Sequence, residues 1–224
     1  MIRLWSFDID YISEDKARSI ITNDEYLRAK RLRYRKDQNR SILGRAGIRL
    51  ALSEQFSADP RIFRLSLDEN RPPMVLNVGS TYLSLSHSGE KFLVGVSNQP
   101  IGVDIESILP LPELNDLEQL VLHPKERAKG GLISDADKLS DFYFYWAAKE
   151  SYLKGLGVGL NRVLSDIFIS TDGLMVNDPG EVSRWFVRKV DIHPQYMAVY
   201  STQCEKHDLE IRYFAEESIA EKIS

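Results

Sequence analysis

The order in which helical and strand patterns follow one another places the strongest limit on the fold of this chain. Residues 13–56 carry apolar residues at helical spacing, and residues 82–106 then alternate as three consecutive strands. The same succession returns in the second half, where helical patterns precede five short strand patterns. Segregated helices and strands are typical of α+β folds. The sequence therefore predicts an α+β fold with two similar-sized lobes, residues 1–100 and residues 101–224.

Local signals set the expected boundaries of several elements. Residues 2–9 are expected to form an opening strand, and Asn23 or Asp24 to cap the second helix. Apolar residues at helical spacing predict long helices over residues 37–56 and 135–154. The five strand patterns that follow the second of these helices are expected to form one sheet.

Composition excludes several classes of protein. No apolar run in the 224 residues approaches the roughly 18 residues of a membrane span, so we expect no membrane partner. Cys204 is the only cysteine, which excludes an intrachain disulfide and a cysteine-rich zinc site. The opening segment carries acidic residues early, unlike a secretory signal. We therefore expect a reduced, cytoplasmic protein.

The net charge of −4 is unevenly distributed. Residues 25–49 contain nine Lys or Arg residues and two acids, whereas residues 101–141 contain nine acids and four bases. A basic segment and an acidic segment could together hold a polyanion and its metal ion. Composition alone favours a simpler interpretation, in which the basic segment is the solvated face of a helix. A nucleic-acid-binding role for this segment is a further alternative.

Asp104 and Glu106 are the first candidates for a chemical site. They lie two residues apart in a predicted strand, so both side chains leave the same face while Ile105 points the other way. Neighbouring carboxylates repel each other unless a cation or hydrogen-bond donors neutralise them. Mg²⁺ prefers such hard oxygen ligands. The pair is therefore either a magnesium site or a strand end whose acids meet nearby arginines.

The segment "WAAKESYLK" raises the same choice on a predicted helix. Trp146, Glu150 and Lys154 are spaced i, i+4 and i+8 and share one face. Glu150 would be a third acid for a metal, and Lys149 and Lys154 would suit a phosphate. In isolation, however, Glu150 and Lys154 could simply form an exposed ion pair.

The segment "SLSHSG" ends a predicted strand with small and polar residues. Its hydroxyls, the imidazole of His87 and the backbone N–H groups of the turn could bind an anion. A single histidine after a strand is also compatible with a structural or merely exposed role. Arg71, and Arg40 with Ser41, are ordinary surface residues when each is considered alone.

Taken in order, these segments resemble the 4′-phosphopantetheinyl transferases of the surfactin-synthetase-activating type. The signature of that family is a Gly-hydrophobic-Asp-x-Glu strand followed later by Trp-x-x-Lys-Glu-Ser/Ala-x-x-Lys. This chain has "GVDIE" at residues 102–106 and "WAAKESYLK" at residues 146–154. It departs from the common Gly-Lys-Pro at Asn70-Arg71-Pro72, which keeps the cation but changes its geometry.

The resemblance implies a fold, a reaction and its partners. Two α+β lobes would hold coenzyme A and Mg²⁺ (or Mn²⁺) in the cleft between them. The enzyme, a holo-[acyl-carrier-protein] synthase, would transfer phosphopantetheine from coenzyme A to a serine of an apo acyl or peptidyl carrier protein. It would serve fatty-acid, polyketide or nonribosomal-peptide biosynthesis as a monomer, with no nucleic-acid partner. The alternative is a non-catalytic module that binds coenzyme A or a carrier protein.

The resemblance also implies roles for particular residues. Asp104, Glu106 and Glu150 would hold the metal. Glu150, or a water that it orients, would be the candidate base, and Lys154 and His87 would complete the catalytic set. The residues expected to bind coenzyme A are Arg28, Arg40, Ser41, Arg71, Ser86, His87 and Lys154. Glu25 receives no such role, since a cation would suit a phosphate better at that position.

Overall fold

The computed structural model describes residues 1–66, 73–128, 135–158, 162–170, 172 and 174–214, with the backbone alone at 135–137. The strands are β1 (Ile2–Asp8), β2 (Tyr82–Ser88), β3 (Lys91–Ser97), β4 (Ile101–Ser107), β5 (Phe168–Ile169), β6 (Met175–Asn177), β7 (Trp185–Val190), β8 (Tyr196–Thr202) and β9 (Leu209–Tyr213). The helices are α1 (Glu14–Ile20), α2 (Asn23–Lys30), α3 (Arg35–Phe56), α4 (Leu114–Val121), α5 (Pro124–Arg127) and α6 (Asp135–Leu156). The predicted α+β class is confirmed.

The strands form two sheets. The N-terminal sheet has the order β2-β3-β1-β9, and the C-terminal sheet has the order β4-β8-β7-β6-β5. The expectation that the last five strands share one sheet was wrong for β9, which pairs in parallel with β1. Apolar contacts and ion pairs both hold β9 there, because Phe214 is buried in the N-terminal core and Arg3 bonds Glu210 at 2.7 Å. The lobe boundary at residue 100 stays a prediction.

The helix predictions were correct in position and wrong at one cap. The opening strand, α3 and α6 lie where the apolar spacing placed them. Helix α2 is capped by Thr22 rather than by Asn23 or Asp24. The Thr22 hydroxyl accepts from the Glu25 backbone N–H at 3.2 Å, and the Glu25 carboxylate accepts from the Thr22 backbone N–H at 2.8 Å. This reciprocal capping box satisfies two N–H groups that neither alternative cap would satisfy together.

Serine side chains join the two sheets along a seam between β2 and β4. The Ser84 hydroxyl accepts from the Val103 backbone N–H at 3.0 Å, and the Ser88 hydroxyl accepts from the Ser107 backbone N–H at 3.1 Å. These bonds satisfy backbone donors of β4 that face β2 rather than its own sheet neighbour. The seam therefore fixes β2 and β4 side by side, where the two sheets meet.

Helix α6 packs closely on β4 because residue 102 is a glycine. A Cβ atom at Gly102 would lie only 1.7 Å from the Ser151 carbonyl oxygen. Ser151 also lies against Ser201 of β8, with 2.6 Å between the two hydroxyl oxygens. These two contacts hold the second half of α6 against the seam. No helix among the described residues combines the length and apolar character needed to cross a membrane.

Candidate active site

Strands β4 and β2 bring paired acids and serines together. Asp104, whose residue surface is 1% exposed, accepts a hydrogen bond from the Ser86 hydroxyl at 2.7 Å. Glu106 accepts one from the Ser88 hydroxyl at 2.8 Å. The two-residue period of each strand explains the matched pairs, because alternate side chains leave the same face. The serines of the "SLSHSG" segment thus donate to the acids of "GVDIE".

Helix α6 presents its polar stripe to these acids. The Lys154 ammonium donates to Asp104 Oδ1 at 2.5 Å and to Ser86 Oγ at 2.9 Å. The Trp146 indole N–H donates to Glu106. Glu150 lies on the same stripe and is buried. The face shared by an aromatic and two charges is therefore the wall of a polar site and not an exposed ion pair.

Burial raises the pKa of each of the three acids, and the charge of Asp104 raises the pKa of the other two further. Burial raises the pKa of Asp104, and burial with the charge of Asp104 raises the pKa of Glu106. Burial, followed by the charge of Asp104, raises the pKa of Glu150 to about 7. The Lys154 ammonium opposes all three shifts. The cluster therefore has an excess of negative charge that one lysine offsets only in part.

The chemistry of this cluster suits a divalent cation, although its side chains do not converge on one point. Within the described ranges, no group of three or more His, Cys, Asp or Glu side chains is arranged to hold a metal ion. Asp104 Oδ2 is nevertheless buried without a hydrogen-bond partner in the structure as described. A buried carboxylate oxygen without a donor is an available ligand, and a set of carboxylate oxygens is what Mg²⁺ prefers.

His87 and Arg40 lie at the end of β2 nearest the acids. The Arg40 guanidinium donates to the Gly89 carbonyl at 3.1 Å, which brings α3 to the turn after β2. Burial lowers the pKa of His87, and the charges of Arg40 and Lys154 lower it further. Ser41 follows Arg40 in α3 and is partly exposed. Cationic and neutral donors thus lie beside the acid cluster.

Arg28 and Arg71 are the other two residues whose positions bear on the expected binding of coenzyme A. Arg28 lies near the end of α2 and is half-buried. Burial lowers the pKa of Arg45 in α3, and the nearby charges of Arg28 and Arg49 lower it further. Arg71 lies outside the described residues. Their roles stay predictions.

Lys149 is not part of this site, so the suggestion that it lies beside a phosphate was wrong. Its ammonium is fully buried and donates to Glu126 at 2.6 Å and to the Val121 carbonyl at 2.7 Å. A rotation of about 100° per residue already separates Lys149 from the Glu150 stripe. That helical geometry could have excluded it. Glu126 had no sequence signal of its own.

A groove of about 800 Å³ extends from Lys154 between the two lobes. Apolar side chains form much of its wall, and the end of α6 from Gly155 to Gly157 forms one edge. The apolar residues of the wall include Met74, Val75, Leu76, Val78, Leu83, Ile101 and Leu156. A ligand with phosphates at Lys154 could place an apolar part in this groove.

Comparison with known proteins finds relatives that cover most of the chain. Residues 100–201 match the family model of the 4′-phosphopantetheinyl transferase superfamily. The chain is 27% identical over 186 residues to the 4′-phosphopantetheinyl transferase Sfp of Bacillus subtilis strain 168, covering 81% of this chain and 82% of that protein. It is 26% identical over 169 residues to the 4′-phosphopantetheinyl transferase HetI of Nostoc, covering 72% and 71%. The chain is therefore similar to 4′-phosphopantetheinyl transferases over most of its length, and its residues 100–201 match the model of that superfamily.

Proposed function

We propose that this enzyme transfers 4′-phosphopantetheine from coenzyme A to a serine hydroxyl of an apo acyl or peptidyl carrier protein. Adenosine 3′,5′-bisphosphate is the second product. The observation that carries the proposal is the meeting of both sequence motifs at one point. Asp104 of β4 and Lys154 of α6 lie 2.5 Å apart, next to Ser86 of β2.

The chemistry requires charge to be neutralised on a pyrophosphate. The serine oxygen bonds to the β-phosphorus, and the bond from that phosphorus to the bridging oxygen breaks. Asp104, Glu106 and Glu150 would hold Mg²⁺ (or Mn²⁺), which when bound would offset the pyrophosphate charge. The Lys154 ammonium and the Arg40 guanidinium would add positive charge to the phosphates.

The serine must also lose its proton as it attacks. Glu150 would accept this proton, acting directly or through a water that it orients. His87 has a lowered pKa and is therefore mostly uncharged at neutral pH, so its imidazole would donate an N–H to a phosphate oxygen without adding a fixed charge. Glu150, Lys154 and His87 are the proposed catalytic set.

We also propose a cellular location, an oligomeric state and a pathway type for the enzyme. The enzyme is a cytoplasmic monomer of fatty-acid, polyketide or nonribosomal-peptide biosynthesis, with neither a membrane nor a nucleic acid as its partner. The ion pairs of the basic segment support this last point. Lys30 and Arg35 lie 3.1 Å and 3.6 Å from Glu14, which reduces the charge available to a polyanion.

The test is intact mass spectrometry of an apo carrier protein mixed with the enzyme, coenzyme A and Mg²⁺. We expect a mass gain of one phosphopantetheine, which EDTA or a serine-to-alanine change in the carrier abolishes. Asp104→Asn should slow transfer by roughly 10²-fold or more, because it removes a negative ligand charge. Asp191→Asn, at an exposed acid of the second lobe, is the matched control and should transfer like the wild type.

Other outcomes would contradict the proposal. Binding of coenzyme A with no mass gain on any carrier would support the non-catalytic module. Salt-sensitive nucleic-acid binding that Asp104→Asn leaves unchanged, again with no mass gain, would support the basic-segment alternative.

A further inference from the structure

We infer that the Lys154 ammonium moves from Asp104 to the substrate pyrophosphate during the catalytic cycle, when a divalent cation replaces it at the Asp104 carboxylate. We call this movement the handover. The inference rests on the proposed function. The cation and the pyrophosphate would then bind cooperatively, because departure of Lys154 from Asp104 makes room for the cation and brings the ammonium to the pyrophosphate.

The first observation is a closed ring of three polar groups. The Lys154 ammonium contacts Asp104 Oδ1 and Ser86 Oγ, and the Ser86 hydroxyl donates to the same Asp104 oxygen. A serine hydroxyl has a single hydrogen, so Ser86 cannot donate to a phosphate while it donates to Asp104. Two groups suited to a phosphate are therefore both engaged by one carboxylate oxygen.

The second observation is the unequal burial of the pair. The Asp104 side chain is 2% exposed, whereas the Lys154 side chain is 29% exposed. Lys154 also borders the groove between the lobes. The flexible lysine can therefore swing toward a ligand in the groove, while the aspartate is fixed in place. Asp104 Oδ2, buried and without a partner among the described atoms, then needs a new positive charge beside it.

These observations make the cation and the ammonium competitors for Asp104. A cation that binds Asp104 alone is repelled by the Lys154 ammonium on the same carboxylate or must displace it, and either effect weakens its affinity. A pyrophosphate in the groove stabilises the displaced ammonium and so strengthens cation binding. The coupling is reciprocal, because the cation must then strengthen binding of the pyrophosphate by the same factor.

The test is Mn²⁺ binding measured by electron paramagnetic resonance at about pH 8, where carboxyl groups are ordinarily ionised. Lys154→Met should bind Mn²⁺ alone roughly tenfold tighter than wild type, because the competing charge is gone. Lys154→Arg keeps a cation and should bind Mn²⁺ like wild type. Lys189→Met, at an exposed lysine of β7, is the control and should also match wild type. Coenzyme A should strengthen Mn²⁺ binding more in wild type than in Lys154→Met.

Unchanged or weaker Mn²⁺ binding in folded Lys154→Met would overturn the handover while leaving the transfer reaction intact. If that variant does not fold, Ser86→Ala replaces it, since loss of the Ser86 contact loosens both ring partners. It should bind Mn²⁺ about threefold tighter, and unchanged binding would count against the inference. If no variant binds Mn²⁺, the inference also fails, and the carrier mass assay then shows whether the proposed function fails with it.

Discussion

Two lysines five residues apart on α6 each bond a carboxylate, yet their surroundings differ in every respect. The Lys149 and Glu126 side chains are both sealed from solvent. Glu126 is saturated, because its other hydrogen bonds come from the backbone N–H groups of His123 and Ile169. The Lys154 side chain is partly exposed, and its partner Asp104 keeps one buried oxygen without a donor.

The difference separates an ion pair that can only be structural from one that suits the functional role proposed for Lys154 and Asp104. A sealed pair in which the ammonium and both carboxylate oxygens have partners can only lose stability by opening, and here it ties α6 to α5 and β5. A partly exposed lysine loses little when it moves, because water and other anions can replace its partner. Residue type therefore does not identify the reactive lysine. The unsatisfied oxygen of its partner does.

The largest expected effect comes from breaking the sealed pair. Lys149→Met should lower the free energy of unfolding by about 3–5 kcal/mol, because Glu126 is left buried without its counter-charge. Urea unfolding followed by circular dichroism measures the change. Adding Glu126→Gln in the same chain should recover part of the loss, since the amide needs no counter-charge.

Lys154→Met is the matched comparison and should cost less than Lys149→Met, because Asp104 keeps the Ser86 hydrogen bond and burial raises its pKa toward the neutral form. Equal losses in Lys149→Met and Lys154→Met would contradict the distinction between the two pairs. A greater loss in Lys154→Met would reverse it.

Gly102→Ala should sharpen the comparison by separating α6 from β4. The added Cβ would lie 1.7 Å from the Ser151 carbonyl oxygen and 2.5 Å from the Gly155 backbone nitrogen, so the helix must shift. We expect a loss of about 1–3 kcal/mol in thermal unfolding. The Lys154–Asp104 contact spans this interface and should weaken, which would slow transfer. The Lys149–Glu126 pair does not involve β4 and should survive.

Gly79→Ala is the stability control for that experiment, because no heavy atom lies within 4 Å of its added Cβ. Hydrogen exchange should then show faster exchange in the last turns of α6 only for Gly102→Ala. If Gly102→Ala unfolds at the wild-type temperature, the close packing of α6 on β4 is not what positions Lys154.

Sequence periodicity predicted the parts of the site that depend on local geometry. Alternation in a strand placed Asp104 and Glu106 on one face, and four-residue spacing placed Glu150 and Lys154 on another. Both periods follow from backbone geometry alone, so they hold whatever the surroundings. That the two faces meet came from the family resemblance, because no local pattern specifies which helix packs on which strand.

The features that were missed depend on partners distant in sequence. Strand β9 joins the N-terminal sheet beside β1, and Glu126 pairs with Lys149, 23 positions further along the chain. The serines of β2, whose hydroxyls were expected to bind an anion, instead donate hydrogen bonds to acids of β4. In each case the residue type was compatible with several partners. Only tertiary packing selects one of them.

The smallest expected effect is a pH dependence that Glu150 alone confers. Its folded pKa of about 7 exceeds its ordinary value of 4.5, because burial and the charge of Asp104 disfavour the ionised form. Between these values the folded protein binds more protons than the unfolded chain, so stability must fall as pH rises through this window. From about pH 4.5 to pH 7, the free energy of unfolding of the wild type should fall by roughly 1 kcal/mol more than that of Glu150→Gln. Asp104 and Glu106 take up protons in both proteins, so the difference between the two isolates the contribution of Glu150. Urea unfolding in EDTA across that range measures the difference. Parallel stability curves, or a wild type that becomes more stable relative to the variant as pH rises, would show that the pKa of Glu150 is not raised. The acids around the Lys154–Asp104 pair would then lack the excess negative charge that distinguishes this pair from the sealed Lys149–Glu126 pair.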